Sequence, residues 1–259
     1  MSSSIAILLC AGYGTRLGEL TRTVPKPLLE LADRPMLDYL VDQLLDLDGL
    51  DAVEVVTNHH YAPAFDAWAS GVRPRVEATG KTLGIHDDGT FDAATRLGAV
   101  GDLAFVLERL ATPPDSALVA AGDNILRFSL GSFWRAFRTR GASIVLALEE
   151  ADPARLRKTG VLELGIDDRV IGLHEKPEVP PSTWACPSVY ALDSDALARV
   201  RPYLDEGRPH DEIGRLIADV VARQPVWAER IRGSRLHVGD PASLSHADAT
   251  LRREPVLLD

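Results

Sequence analysis

Short apolar runs alternate with amphipathic stretches along the first 150 residues of the chain. The run Ile5–Cys10 is apolar throughout and stops at a glycine-rich turn, which predicts a first strand buried on both faces. Apolar positions three and four apart predict a helix over about 36–47. The pattern continues as strand 52–57, helix 62–69, strand 73–78, helix about 98–111, strand 117–121, helix 129–139 and strand 142–149. Strands alternating with helices imply βαβ units, so the predicted fold class is α/β, a Rossmann-like, mainly parallel sheet flanked by helices. From Thr159 the rhythm shortens. Strands 160–164, 169–174 and 184–192, a helix at 211–222, strands 226–231 and 235–238 and a last helix at 241–251 predict a smaller, partly antiparallel extension. Pro177–Pro181 reads as a loop, and residues 1–259 are expected to form one domain with parts of about 1–150 and 151–259.

Composition narrows the function. With 259 residues, 46% of them hydrophobic, the chain can bury a full core. Its formal charge of −10 argues against nucleic acid or a membrane surface as partner, because both demand a basic face. Met1–Ser4 is too short and uncharged for a signal peptide, and no apolar stretch approaches the roughly 20 residues that span a bilayer. Cys10 and Cys186 have no metal-like spacing and read as small hydrophobes. A cytoplasmic protein is expected.

Local basic residues must then serve a small anion, and the stretch Leu9–Leu28, LCAGYGTRLGELTRTVPKPL, concentrates them. Gly12 and Gly14 allow backbone N–H groups to approach phosphate oxygens, while Arg16 and Lys26 add charge. A dinucleotide fingerprint would need glycine at position 17, which is Leu17, and the Gly-Lys-Ser/Thr of a Walker A loop is absent. A second feature, Gly122-Asp123-Asn124, follows the apolar run ALVAA. By the switch-point rule both lie beyond the carboxyl ends of the strands. Asp123 there suits Mg²⁺, which bridges one or two carboxylates to phosphate oxygens; the plainer reading is an Asx turn.

The order A-G-x-G-T-R-L followed by P-K-P resembles the sugar-1-phosphate nucleotidylyltransferases. That resemblance implies transfer of NMP from an NTP to a phosphorylated sugar or cyclitol, with release of pyrophosphate. It assigns Arg16 and Lys26 to the triphosphate and Asp123 to the metal. Nucleotide contacts are implied for Leu9, Ala11, Gly12, Gly14, Thr15, Asp87 and Gly98. Glu175-Lys176-Pro177 matches the family's E-K-P, which gives Lys176 the acceptor phosphate and Glu175 a sugar hydroxyl, and Gly160 and Ser188 line the same pocket. The alignment also ends a strand at Asp87-Asp88-Gly89-Thr90, where relatives read the nucleobase. His59 and His60 read as a polar strand end.

Two positions depart from the family. His237 in Leu236-His237-Val238-Gly239-Asp240 stands where relatives carry a second metal-binding aspartate. Imidazole is a poorer Mg²⁺ ligand than oxygen and suits Mn²⁺ better, so either Asp240 compensates or the metal rests on Asp123 and the triphosphate alone. Ser188 stands where a glycine is common, and Pro187 before it removes an N–H, which points to an unusual acceptor. A carboxylate at Asp87 only accepts hydrogen bonds, which favours GTP first and CTP second over UTP and dTTP. The departures leave a regulatory sugar-nucleotide binder open as an alternative. A glycosyltransferase is the other, although it has no use for the A-G-x-G-T-R turn. A homo-oligomer is also left open.

Overall fold

The computed structural model describes residues 3–254, so Met1 and Ser2 of the stretch weighed as a leader, and 255–259, lie outside it. Nine strands lie side by side in the order Val170–Glu175, Gly160–Leu164, Trp184–Cys186, Ile144–Glu149, Val189–Asp193, Ser116–Ala121, Ser4–Leu9, Ala52–Thr57 and Thr82–Asp87. A tenth, Trp227–Ile231, pairs parallel with Ile144–Glu149. Ser4–Leu9 lies between Ala52–Thr57 and Ser116–Ala121, parallel to both. Its side chains alternate between two cores. Ala6 and Leu8 join Leu37, Leu40, Phe65, Phe133 and Trp134 on one face, while Ile5 and Ile7 meet Val100, Leu103, Tyr203 and Leu216 on the other.

The antiparallel part is continuous with the parallel sheet. Val189–Asp193 runs antiparallel to Ser116–Ala121, and Trp184–Cys186 joins Ile144–Glu149 to Gly160–Leu164. The predicted strand 184–192 is therefore two strands. Pro187 lacks an N–H and Ser188 takes a left-handed φ of 56°, so the ladder breaks between them and the chain crosses to a new neighbour.

The predicted strand 73–78 is a helix. Val-Arg-Pro-Arg-Val alternates in the manner of a strand, but Phe65, Ala69, Val72 and Val76 recur at helical spacing and all four are buried, so Ala62–Glu77 is one helix with Pro74 near its end. The strand beyond it is Thr82–Asp87, parallel to Ala52–Thr57. The short helices Ser194–Ala198 and Val200–Asp205 escaped the pattern, being too brief to show a full period. Among the described residues no helix is long and apolar enough to cross a membrane.

Candidate active site

The carboxyl ends of Ser4–Leu9, Ala52–Thr57 and Ser116–Ala121 open onto one edge of the sheet, and the Ala11–Arg16 loop fills it. Gly14 has a φ of 62°, and a β-carbon there would press on Thr21, so glycine is required for the turn into the helical segment Thr15–Thr21. At Gly12 a β-carbon would meet nothing within 4 Å. That side of the loop is open. Neighbouring strand ends hold the loop: buried Asn58 donates from Nδ2 to the Ala11 carbonyl at 2.8 Å, and the Tyr61 hydroxyl donates to the carbonyls of Tyr13 and Thr21. Thr15 and Arg16 are exposed on it.

Lys26 lies in a single helical turn between Pro25 and Pro27, which restrict its backbone, and its ammonium is ion-paired with Asp123. Asp123 stands in the turn after Ser116–Ala121. The buried Asn124 beside it donates to the Pro187 carbonyl at 2.8 Å, and Gly122 donates to the carbonyl of Leu9 at 3.1 Å. The strand end that leads into the glycine loop, the Gly-Asp-Asn turn and the strand break at Ser188 are thus one hydrogen-bonded unit. Desolvation would raise the pKa of Asp123, but Lys26, Arg235 and His237 outweigh it and hold the carboxylate below its usual range.

His237 follows the short strand Arg235–Leu236, which pairs with Ile125–Leu126 directly after Asp123. Partial burial, with Arg235 and Lys26 nearby, lowers the pKa of its imidazole. Asp240 does not compensate for the missing carboxylate. Its side chain accepts from Ser243 N at 2.8 Å and caps the helix Pro241–Arg253. No group of three or more His, Cys, Asp or Glu side chains is arranged to hold a metal among the described residues. Mg²⁺ does not need such a group, since it is held through one or two carboxylates plus substrate phosphates. Asp123 fits as that single protein anchor.

On the acceptor side Lys176 adopts a φ of 48° and its ammonium lies 2.6 Å from Glu212 Oε1. Glu175 packs against Gly160 and Gly214, and desolvation, then Glu212, raises its pKa. A cleft of about 520 Å³ opens beside Arg235 and His237, lined also by Glu150, Lys158, Thr159 and His246.

Asp87 and Gly98 each have contacts within the protein itself. Asp87 Oδ2 lies 2.6 Å from His59 Nδ1 and its Oδ1 accepts from Gly89 N at 2.8 Å, so both oxygens are engaged and the argument from Asp87 to GTP or CTP loses its premise. Gly98 begins the helix Gly98–Leu107 with a φ of 74°, and a β-carbon there would strike the His210 backbone at 2.6 Å. That contact is a packing reason for glycine.

Asp88 and Asp102 form a pair that the sequence pattern did not single out. Asp88 Oδ1 accepts from the N and Oγ1 of Thr90, both at 2.7 Å, and Thr90 Oγ1 lies 3.0 Å from the Tyr13 hydroxyl of the phosphate loop. Asp88 Oδ2 and Asp102 Oδ1 are buried with no other partner, and desolvation, then Asp88, pushes Asp102 up to about 8. A proton on Asp102 satisfies both oxygens. Because this pKa is raised on folding, the stabilisation is full below the unfolded value near 4 and is lost as pH rises through about 8. Asp102→Asn is therefore expected to flatten the fall in stability between pH 6 and 8.5 by up to about 1.4 kcal/mol per pH unit. Urea unfolding across that range measures the slope, and an equal slope in the variant rules the shared proton out.

The nucleotidyl transferase family model matches residues 5–254. The chain is 30% identical over 235 residues to a glucose-1-phosphate thymidylyltransferase of Mycobacterium tuberculosis, covering 86% of this chain and 76% of that one. It is 26% identical over 255 residues to a UTP–glucose-1-phosphate uridylyltransferase of Haloferax volcanii, covering 96% and 97%. A solved UDP-glucose pyrophosphorylase in complex with UDP-glucose, 18% identical, superposes with a TM-score of 0.79 over 98% of this chain and 100% of that one, which shows the shared fold. With the family model matching residues 5–254 and a thymidylyltransferase 30% identical across most of both chains, the chain belongs to the nucleotidyl transferase family, among the sugar-1-phosphate nucleotidylyltransferases.

Proposed function

We propose that the protein transfers a nucleotidyl group from dTTP or UTP to a hexose 1-phosphate. The observation that carries this reading is the Lys26–Asp123 pair between the open Gly12 face and the Arg235–Leu236 strand. An oxygen of the acceptor phosphate bonds to the α-phosphorus while the bond to the bridging oxygen breaks, and pyrophosphate leaves with that electron pair. Such a step asks for positioning and charge neutralisation, and the ionised acceptor phosphate needs no general base.

Arg16, exposed and without an ion-pair partner among the described residues, reaches for the β- and γ-phosphates. Lys26 exchanges Asp123 for a phosphate oxygen, the Ala11–Gly14 backbone N–H groups line the triphosphate, and Lys176 turns from Glu212 to the acceptor phosphate. Enzymes of this family are generally dependent on a divalent metal. Mg²⁺, with Mn²⁺ as substitute, is the proposed ion, held by Asp123 and the triphosphate; when bound it neutralises phosphate charge. The cytoplasm is the proposed compartment, consistent with the unpaired thiols of Cys10 and Cys186.

The test is pyrophosphate release measured over five NTPs and a panel of sugar phosphates. The highest kcat/KM is expected with dTTP or UTP, as the two relatives' names suggest, and Asp87→Asn is expected to leave the order of bases unchanged because His59 and Gly89 already occupy its carboxylate. A preference for GTP or CTP that shifts in Asp87→Asn would restore Asp87 as the base reader.

A further inference from the structure

Arg235 is a half-buried cation that makes no ion pair among the described residues, although Asp123 and Glu150 lie near enough to act on it. Its guanidinium offers five N–H donors, yet among the described residues it makes one hydrogen bond, Nη2 to Thr159 Oγ1 at 3.2 Å, and no ion pair. Arg199 shows what a paired arginine looks like in this fold: it binds Asp219 at 2.5 Å and Glu206 at 2.7 Å. Desolving a guanidinium and leaving its donors free is costly, so a position that keeps one there has another use for it. The free donors are not sealed in. None of them is among the atoms that are both buried and unsatisfied, and Arg235 lines the 520 Å³ cleft with Lys158 and His237.

Its location is specific. Arg235 opposes Leu126 in the two-stranded ladder that follows Asp123, and its field acts on Asp123, while its one hydrogen bond reaches Thr159 on the acceptor side, next to Gly160. Arg235 and His237 line the same cleft. Where a second carboxylate would add negative charge, this edge instead carries Arg235, Lys26 and a histidine.

We propose that Arg235 is a catalytic residue whose guanidinium grips phosphate oxygens at the junction of the nucleotide and acceptor halves, touching the α-phosphate, the acceptor phosphate or both. This rests on the nucleotidyl-transfer reading above. The planar fork binds two oxygens at once, and it neutralises charge that the single carboxylate and its metal leave uncompensated.

The experiment compares the parent with Arg235→Met and Arg235→Lys in steady-state kinetics, thermal unfolding and calorimetric binding of dTMP and of glucose 1-phosphate in EDTA. Arg235→Met should lower kcat/KM by roughly 10²-fold or more and weaken metal-free binding of dTMP, of glucose 1-phosphate or of both at least tenfold, with Tm unchanged or raised because an under-partnered cation is removed. Arg235→Lys should fall between, keeping charge without the fork. A rise in KM for the sugar phosphate alone assigns the contact to the acceptor phosphate; a rise in KM for the NTP, or a fall in kcat, assigns it to the α-phosphate. Near-parent kinetics in Arg235→Met, or a Tm that falls in step with activity in both variants, overturns the proposal. If the parent turns over no NTP and sugar phosphate pair, the nucleotidyl-transfer reading fails instead, and the metal-free binding comparison still decides whether Arg235 holds phosphate.

Discussion

Asp123→Asn is expected to lower nucleotidyl transfer by roughly 10³-fold or more while the protein remains folded, since a bound metal contributes several kcal/mol of charge stabilisation and no second carboxylate stands by to replace this anchor. Asparagine keeps the size of the side chain, and the backbone turn is held independently by Asn124 on the Pro187 carbonyl and by Gly122 on that of Leu9. What the variant removes is the negative charge. EDTA should abolish turnover of the parent, and added Mg²⁺ should restore the parent and leave Asp123→Asn inactive. Turnover in the variant within tenfold of the parent would show that Asp123 serves only as the partner of Lys26.

Lys26→Ala is the second large effect, with a loss of roughly 10²–10³-fold in kcat/KM expected because a charge-assisted contact to the leaving phosphates disappears. The lysine is positioned by its surroundings: its side chain is 14% exposed, held between two prolines, and its ammonium is already directed at the centre of the site by Asp123. Arg16→Ala should cost roughly 10²-fold by the same argument, with an unchanged Tm, since Arg16 has no partner among the described residues whose loss would be felt. Kinetics with saturating sugar phosphate separate the two residues. Wild-type rates in both variants would move the triphosphate elsewhere.

The periodic parts of the chain were legible without coordinates. Ile5–Cys10 and Ala52–Thr57 are largely apolar runs that end at glycine or polar residues, the pattern of a parallel strand buried on both faces. The glycine turn and the placing of Asp123 after a strand could likewise be read, because backbone conformation and strand ends are local properties. Val72–Glu77 could not be settled locally: its alternation suits a strand, and only the common burial of Phe65, Ala69, Val72 and Val76 against the sheet makes it helical. The broken strand at Pro187-Ser188 was also lost, since a left-handed serine leaves no mark in a hydrophobic pattern.

The sequence by itself determined the class of fold, the glycine turn and the family, because each rests on patterns among near neighbours in the chain. The tertiary structure alone decided which charges meet. Lys26 pairs with Asp123 and Asp88 faces Asp102 across folded distances that no spacing encodes. Asp240 is spent on a helix cap, Asp87 on His59 and Gly89, and Arg235 is left with donors free at the cleft. Electrostatic roles depend on separation and burial in space, and those are set only when strands far apart in the chain end on the same edge of one sheet.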